Sequence, residues 1–151
     1  MPAVIVNRQG RLAVPTARLA RAAQRALDAL GRPAGELDVA IVDDREIRVL
    51  NAEHRGIRRR TDVLAFPTER PGVASGLLGQ IVISADTAAR QARRLDVPLA
   101  LELELLTTHG VLHLAGYDDR DPVEAQLMHQ REREILGDAA PARLWHGLLR
   151  A

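Results

Sequence analysis

His109 and His113 stand four residues apart, a separation that puts two imidazoles on one face of a helix, one turn apart. Side chains so placed can meet a single ion at roughly 2.0–2.1 Å each. Gly116 lies three residues beyond His113 and can take the positive φ that ends a helix and turns the chain back. Asp119 then comes round as a third ligand, which leaves a fourth position open for water. Three protein ligands plus an open position is the catalytic arrangement, whereas structural zinc sites are closed by four. The chemistry indicated is that of one divalent metal per chain, zinc first. Cysteine is absent, so disulfides and thiolate ligands are excluded and a transition-metal site must use His and carboxylates.

Pairs of His at this spacing also occur on helices that bind nothing, so the residue between them matters. Gly in a helix interior costs about 1 kcal/mol relative to Ala, and Gly110 therefore implies the close approach of a neighbour or ligand. The full pattern, H-x3-H-x2-G-x2-D, is near the H-E-x-x-H-x-x-G-x-x-H of metzincin proteases. The position of their catalytic Glu is Gly110 here, which disfavours a metalloprotease-like hydrolase. Two His and one carboxylate also permit a non-haem iron oxygenase. His54, beside a basic loop, reads as a solvated surface residue, and His129 and His146 are assigned no chemistry. Asp118 reads as a group that orients the site or caps a turn, and Asp121 as the N-cap of the helix that follows.

The elements that must carry these residues follow from periodicity and punctuation. Val4–Val6, residues 37–42, 62–67 and 79–84 read as strands, the third ended by Pro67. Residues 15–30 have apolar positions at helical spacing, with Pro15 in the first turn and Gly31 as the stop. Asp43 or Asp44 opens a helix through about Glu53, and Ser84 or Asp86 opens another through about Leu95. Pro98 precedes a helix over 99–115 that is apolar round most of its circumference, as buried central helices are. Its segment Leu101–Leu105 alternates like a strand, and only length decides for helix. Residues 122–136 form the last long helix, between Pro122 and Gly137. The order β-α-β-α-β-β-α-α-α predicts an α+β fold. One domain over residues 1–151 is expected, with a four-stranded mixed sheet, about five helices and the metal site on a central helix.

Composition adds limits more than direction. With one Trp, one Tyr and one Phe, the core must be built from Leu, Val, Ile and Ala. No apolar run approaches membrane-span length and no secretory leader is visible, so no membrane partner and a cytoplasmic location are expected. Every cation is Arg; residues 1–94 hold 16 Arg against 10 acids, and residues 95–151 hold 5 against 10. The guanidinium fork suits phosphate, although all-Arg usage also follows from a GC-rich genome.

Four blocks in order resemble the YbeY family of metal-dependent endoribonucleases involved in rRNA maturation. Thr108–Asp119 is similar to the family's H-G-x-L-H-L-x-G-Y-D-H, and Thr61–Pro67 to T-D-V-L-S-F-P. Leu78–Ser84 is similar to L-G-D-I-V-I, and Leu50-Asn51 with Arg55 forms the fourth block; the likeness runs from about Val39 to Leu136. It implies a single-strand-specific endoribonuclease acting on RNA in 16S rRNA 3′-end maturation and ribosome quality control. The implied partners are rRNA, the small ribosomal subunit and a ribosome-assembly GTPase; a non-catalytic assembly factor with a structural metal is the alternative. Arg55 matches an arginine of the family's cleft, suited to holding the scissile phosphate, and Arg58, Arg59 and Arg60 would extend a positive track for RNA backbone. Three positions depart from the pattern: Asp119 stands where the family has His, Gln80 where it has an acid, and Ala65 where it has Ser. A carboxylate at 119 still ligates zinc, but it makes bound water less acidic and admits Mn, Fe or Ni as competitors.

Overall fold

Four short runs rich in Val, Ile and Leu form strands: β1 (Ala3–Asn7), β2 (Glu36–Val42), β3 (Val63–Pro67) and β4 (Leu77–Ser84). They belong to a computed structural model that describes residues 3–53, 63–67, 77–137 and 140–146. The strands make one mixed sheet in the order β1-β2-β4-β3. β1 and β4 run parallel to β2, and β3 runs antiparallel to β4, with Val63 opposite Ile83 and Pro67 opposite Gly79. The helices are α1 (Thr16–Ala29), α2 (Asp44–Glu53), α3 (Ala85–Leu95), α4 (Leu99–Leu114) and α5 (Pro122–Leu136), followed by a 3-10 turn, Ala142–Trp145. The α+β class, the four strands and the five helices are those expected from the sequence, with boundaries shifted by a residue or two. Pro15 is the residue before α1 rather than its first turn. No described helix is long and apolar enough to cross a membrane.

The two faces of the sheet are covered unequally. One face contributes Leu37, Val39, Ile41, Ile81 and Ile83 to the main core, shared with Leu19 and Leu27 of α1 and Leu103, Leu106 and Val111 of α4. On the other, Ala40, Val42, Leu64 and Val82 pack beneath Ile47 of α2. α4 is the central element, and every residue from Glu102 to Leu112 is buried. Its strand-like alternation is overruled because a helix enclosed on all sides needs apolar residues all round. The polar groups it buries are partnered: Thr107 and Thr108 hydroxyls donate to the carbonyls of Leu103 and Glu104 at 2.8 and 2.9 Å. Arg18 and Arg25 of α1 reach the Glu104 carboxylate at 3.0 and 3.4 Å.

Two glycines set how closely α4 lies on the sheet. A Cβ at Gly110 would stand 2.8 Å from Ile81 Cγ2, and one at Gly79 would stand 2.4 Å from the Phe66 carbonyl oxygen and 2.8 Å from Leu114 Cδ2. The close neighbour implied by Gly110 is thus Ile81 of β4. The protease-type Glu has no room at this position.

Three of the five helix starts are capped as their residue types imply. Asp43 Oδ1 accepts the Glu46 N–H at 2.8 Å, Ser84 Oγ accepts that of Thr87 at 3.2 Å, and Asp121 Oδ1 accepts that of Glu124 at 2.9 Å. Asp44 ties two of these starts together. Its carboxylate accepts the Ser84 and Thr87 hydroxyls at 2.6 Å each and pairs with Arg90 at 2.8 Å. Burial pushes its pKa up, but the two hydroxyls and Arg90 outweigh burial and bring it to about 2, from an ordinary 3.8. Because the folded value lies below the unfolded one, this contribution is complete above about pH 4 and disappears as the pH falls towards about 2. Asp44→Asn should therefore melt below wild type near neutral pH, and the gap should close over that acid range. Thermal melts of the two proteins across the range check this.

Candidate metal centre

The last turn of α4 and the turn after it bring the site together. The Tyr117 N–H donates to the Leu112 carbonyl at 3.0 Å and the Gly116 N–H to the His113 carbonyl at 3.1 Å, with Gly116 at φ +104°. This paired closure satisfies the orphan carbonyls of the helix end and needs a residue tolerant of positive φ. It reverses the chain so that Asp119 returns over the helix. Asp118 supports the turn, not the histidines: one oxygen accepts the Asp119 N–H at 2.7 Å and the other Arg120 Nε at 2.5 Å. Asp121 then caps α5, as expected.

His109, His113 and Asp119 converge. His113 Nε2 lies 3.0 Å from His109 Nε2, Asp119 Oδ2 lies 3.5 Å from His109 Nε2, and Asp119 Oδ1 lies 3.8 Å from His113 Nε2. Three donors placed tetrahedrally about 2.05 Å from one ion stand about 3.3 Å apart, so the observed separations fit an ion with only small adjustment. All candidate donor atoms of this group lie within 4.8 Å of one another. His109 is enclosed, while His113 and Asp119 are partly exposed, so the group is rooted in the core and reachable from solvent. An open coordination position can therefore meet a substrate.

Behind His109 stands a residue that the sequence reading did not single out. Glu132 of α5 is fully buried, and its Oε2 lies 2.6 Å from His109 Nδ1. Its Oε1 accepts from His129 Nδ1 at 2.8 Å and from the Trp145 indole N–H at 3.1 Å. Burial alone would push the Glu132 carboxyl up, but His109 and His129 beside it hold it below the usual carboxylate range. His129 is thus a satisfied core residue. The signal for Glu132 was present in the sequence: it occupies the core-facing stripe of α5 with Met128 and Ile135, where an acid without a partner is too costly to leave. Gln80 is exposed on β4, Ala65 is buried on β3, and His146 is exposed. His54, Arg55, Arg58, Arg59 and Arg60 lie outside the described residues.

Residues 4–140 match the family model described as Endoribonuclease YbeY. Curated relatives carry the same description. That of Anaeromyxobacter dehalogenans is 47% identical over 118 residues, covering 78% of this chain and 61% of the relative. That of Syntrophotalea carbinolica is 43% identical, covering 87% and 91%, and that of Pelotomaculum thermopropionicum is 40% identical, covering 91% and 96%. The chain spans about three fifths of the length of the two Anaeromyxobacter relatives it matches, at 61% and 62%. A solution structure of a Thermotoga maritima protein shares the fold, with a TM-score of 0.58 at 24% identity over 97% of this chain and 93% of that one. The likeness, over residues 4–140, reaches beyond the span from about Val39 to Leu136 read from the motifs.

Proposed function

The chain belongs to the YbeY family, and on that premise we propose that it is a metal-dependent hydrolase that cuts RNA phosphodiesters. The observation that carries the reading is the convergence of His109 Nε2, His113 Nε2 and an Asp119 oxygen at separations of 3.0 to 3.8 Å. These three would hold one divalent ion, zinc first, with Mn, Fe or Ni compatible with the carboxylate. When bound, the ion supplies polarisation of a phosphoryl oxygen or activation of a water. His113 and Asp119 present their donors at the accessible side of the site, and His109 anchors it to the core. Arg55 would hold the scissile phosphate and offset the negative charge that develops on it. Arg58, Arg59 and Arg60 would grip neighbouring backbone phosphates.

The proposed substrate is single-stranded RNA at the 3′ end of 16S rRNA, met on or near the small ribosomal subunit, in concert with an assembly GTPase and in the cytoplasm, as the motif resemblance implies. The test is incubation of the purified, zinc-supplied chain with an RNA fragment carrying that 3′ end. Cuts in unpaired nucleotides are expected, at the same rate with and without oxygen. Tight RNA binding without cleavage under any divalent metal would contradict the enzymatic reading and leave an RNA-binding assembly role. Oxygen-dependent turnover with iron would indicate the oxygenase chemistry that the ligand set also permits.

A further inference from the structure

We infer that Glu132 is the positioning residue of this centre: it fixes His109 in the tautomer whose Nε2 is unprotonated and can ligate a metal, and Trp145 and His129 fix Glu132. The inference rests on the metal centre proposed above.

The hydrogen-bond roles leave little choice. The Trp145 indole nitrogen can only donate, so Glu132 Oε1, 3.1 Å away, accepts from it. The same oxygen takes His129 Nδ1 at 2.8 Å, and Oε2 takes His109 Nδ1 at 2.6 Å. A carboxylate accepts from all three, which places the His109 proton on Nδ1. A neutral imidazole carries one N–H, so its Nε2 then offers a lone pair. That bare nitrogen is the atom facing His113 Nε2 and Asp119 Oδ2 at 3.0 and 3.5 Å. A carboxylate on the far nitrogen of a ligating His sets its ring orientation and raises its basicity.

Three separate elements build this support. Glu132 and His129 come from α5, His109 from α4 and Trp145 from the 3-10 turn near the C-terminal end of the described chain. The His129 ring lies parallel to that of His109 with centroids 6.4 Å apart, and Arg133 covers the Trp145 ring at 5.1 Å. A carboxylate that only satisfied buried donors could be replaced with loss of stability and no change in metal affinity. A positioning carboxylate could not.

Glu132→Gln separates the two cases because it keeps the shape. The amide offers one acceptor oxygen and one NH2 donor, so it no longer requires a proton on His109 Nδ1. Zinc dissociation constants are measured by chelator competition on the full chain, with the visible spectrum of the cobalt-substituted proteins. The zinc constant should rise about 10–100-fold, and the cobalt bands should move in position or intensity. Trp145→Phe, which removes one of the three donors, should weaken zinc by a smaller factor. Unchanged zinc affinity and cobalt spectrum in a folded Glu132→Gln protein would overturn the inference while leaving the metal centre standing. If wild type itself binds no zinc, both readings fail. Long-range proton–nitrogen spectra of the metal-free wild type test the tautomer without any variant: the His109 proton is expected on Nδ1, and a proton on Nε2 overturns the inference.

Discussion

Replacing His113 by Ala is expected to remove stoichiometric metal and to slow RNA cleavage by about 10³-fold or more, since a metal supplies several kcal/mol of transition-state stabilisation. His113 is the better ligand to remove. It sits on the last turn of α4 with its side chain partly exposed, and the turn that follows uses its backbone carbonyl, not its ring. His109 is enclosed and bonded to Glu132, so its loss would strip a partner from a buried carboxylate and mix stability with chemistry. The His113→Ala protein should keep the circular dichroism and cooperative melt of wild type. Metal content, folding and cleavage measured on one preparation check the expectation. Wild-type cleavage by a folded, metal-free variant would refute the ligand assignment.

The second large effect concerns Arg55, proposed to act on the scissile phosphate rather than as a metal ligand. Arg55→Ala is expected to lower the rate of cleavage at saturating RNA by about 10²–10³-fold, the range found when one preorganised charge-stabilising donor is removed. Its metal content should equal that of wild type. Arg55→Lys should recover only part of the rate, because an ammonium lacks the planar fork that engages two phosphate oxygens. Single-turnover kinetics across RNA concentrations separate the roles. A rise in apparent RNA dissociation constant with an unchanged maximal rate would assign Arg55 to binding, the role proposed for Arg58, Arg59 and Arg60.

Much of the candidate centre was legible because the residues that converge there are local. His109, His113, Gly116 and Asp119 lie within eleven consecutive residues, and helical geometry plus one reversing turn is enough to bring them together. The secondary structure was legible for a similar reason: strand alternation, capping Asp and Ser residues and terminal glycines act over a few positions. α4 shows where local pattern fails, because Leu101–Leu105 alternates like a strand and only enclosure by α1, α3, α5 and the sheet explains it. Gly110 announced a close neighbour without saying which, since Ile81 is brought beneath it by packing across the sheet. Glu132 and Trp145 were missed because their contacts with His109 and each other span 23 and 13 residues. Such partners are set by how helices cross, not by sequence spacing. An acid on the buried stripe of α5 was the one trace they left.

Asp119 is one of three departures from the family pattern, and the candidate centre it would complete can be tested without mutation. Elemental analysis of the purified chain, equilibrated with zinc and freed of excess, measures the ion directly. One zinc per chain is expected, removed by a strong chelator together with RNA cleavage and restored with it on re-addition. Absence of stoichiometric metal after such loading, or cleavage that survives complete chelation, would contradict the central claim.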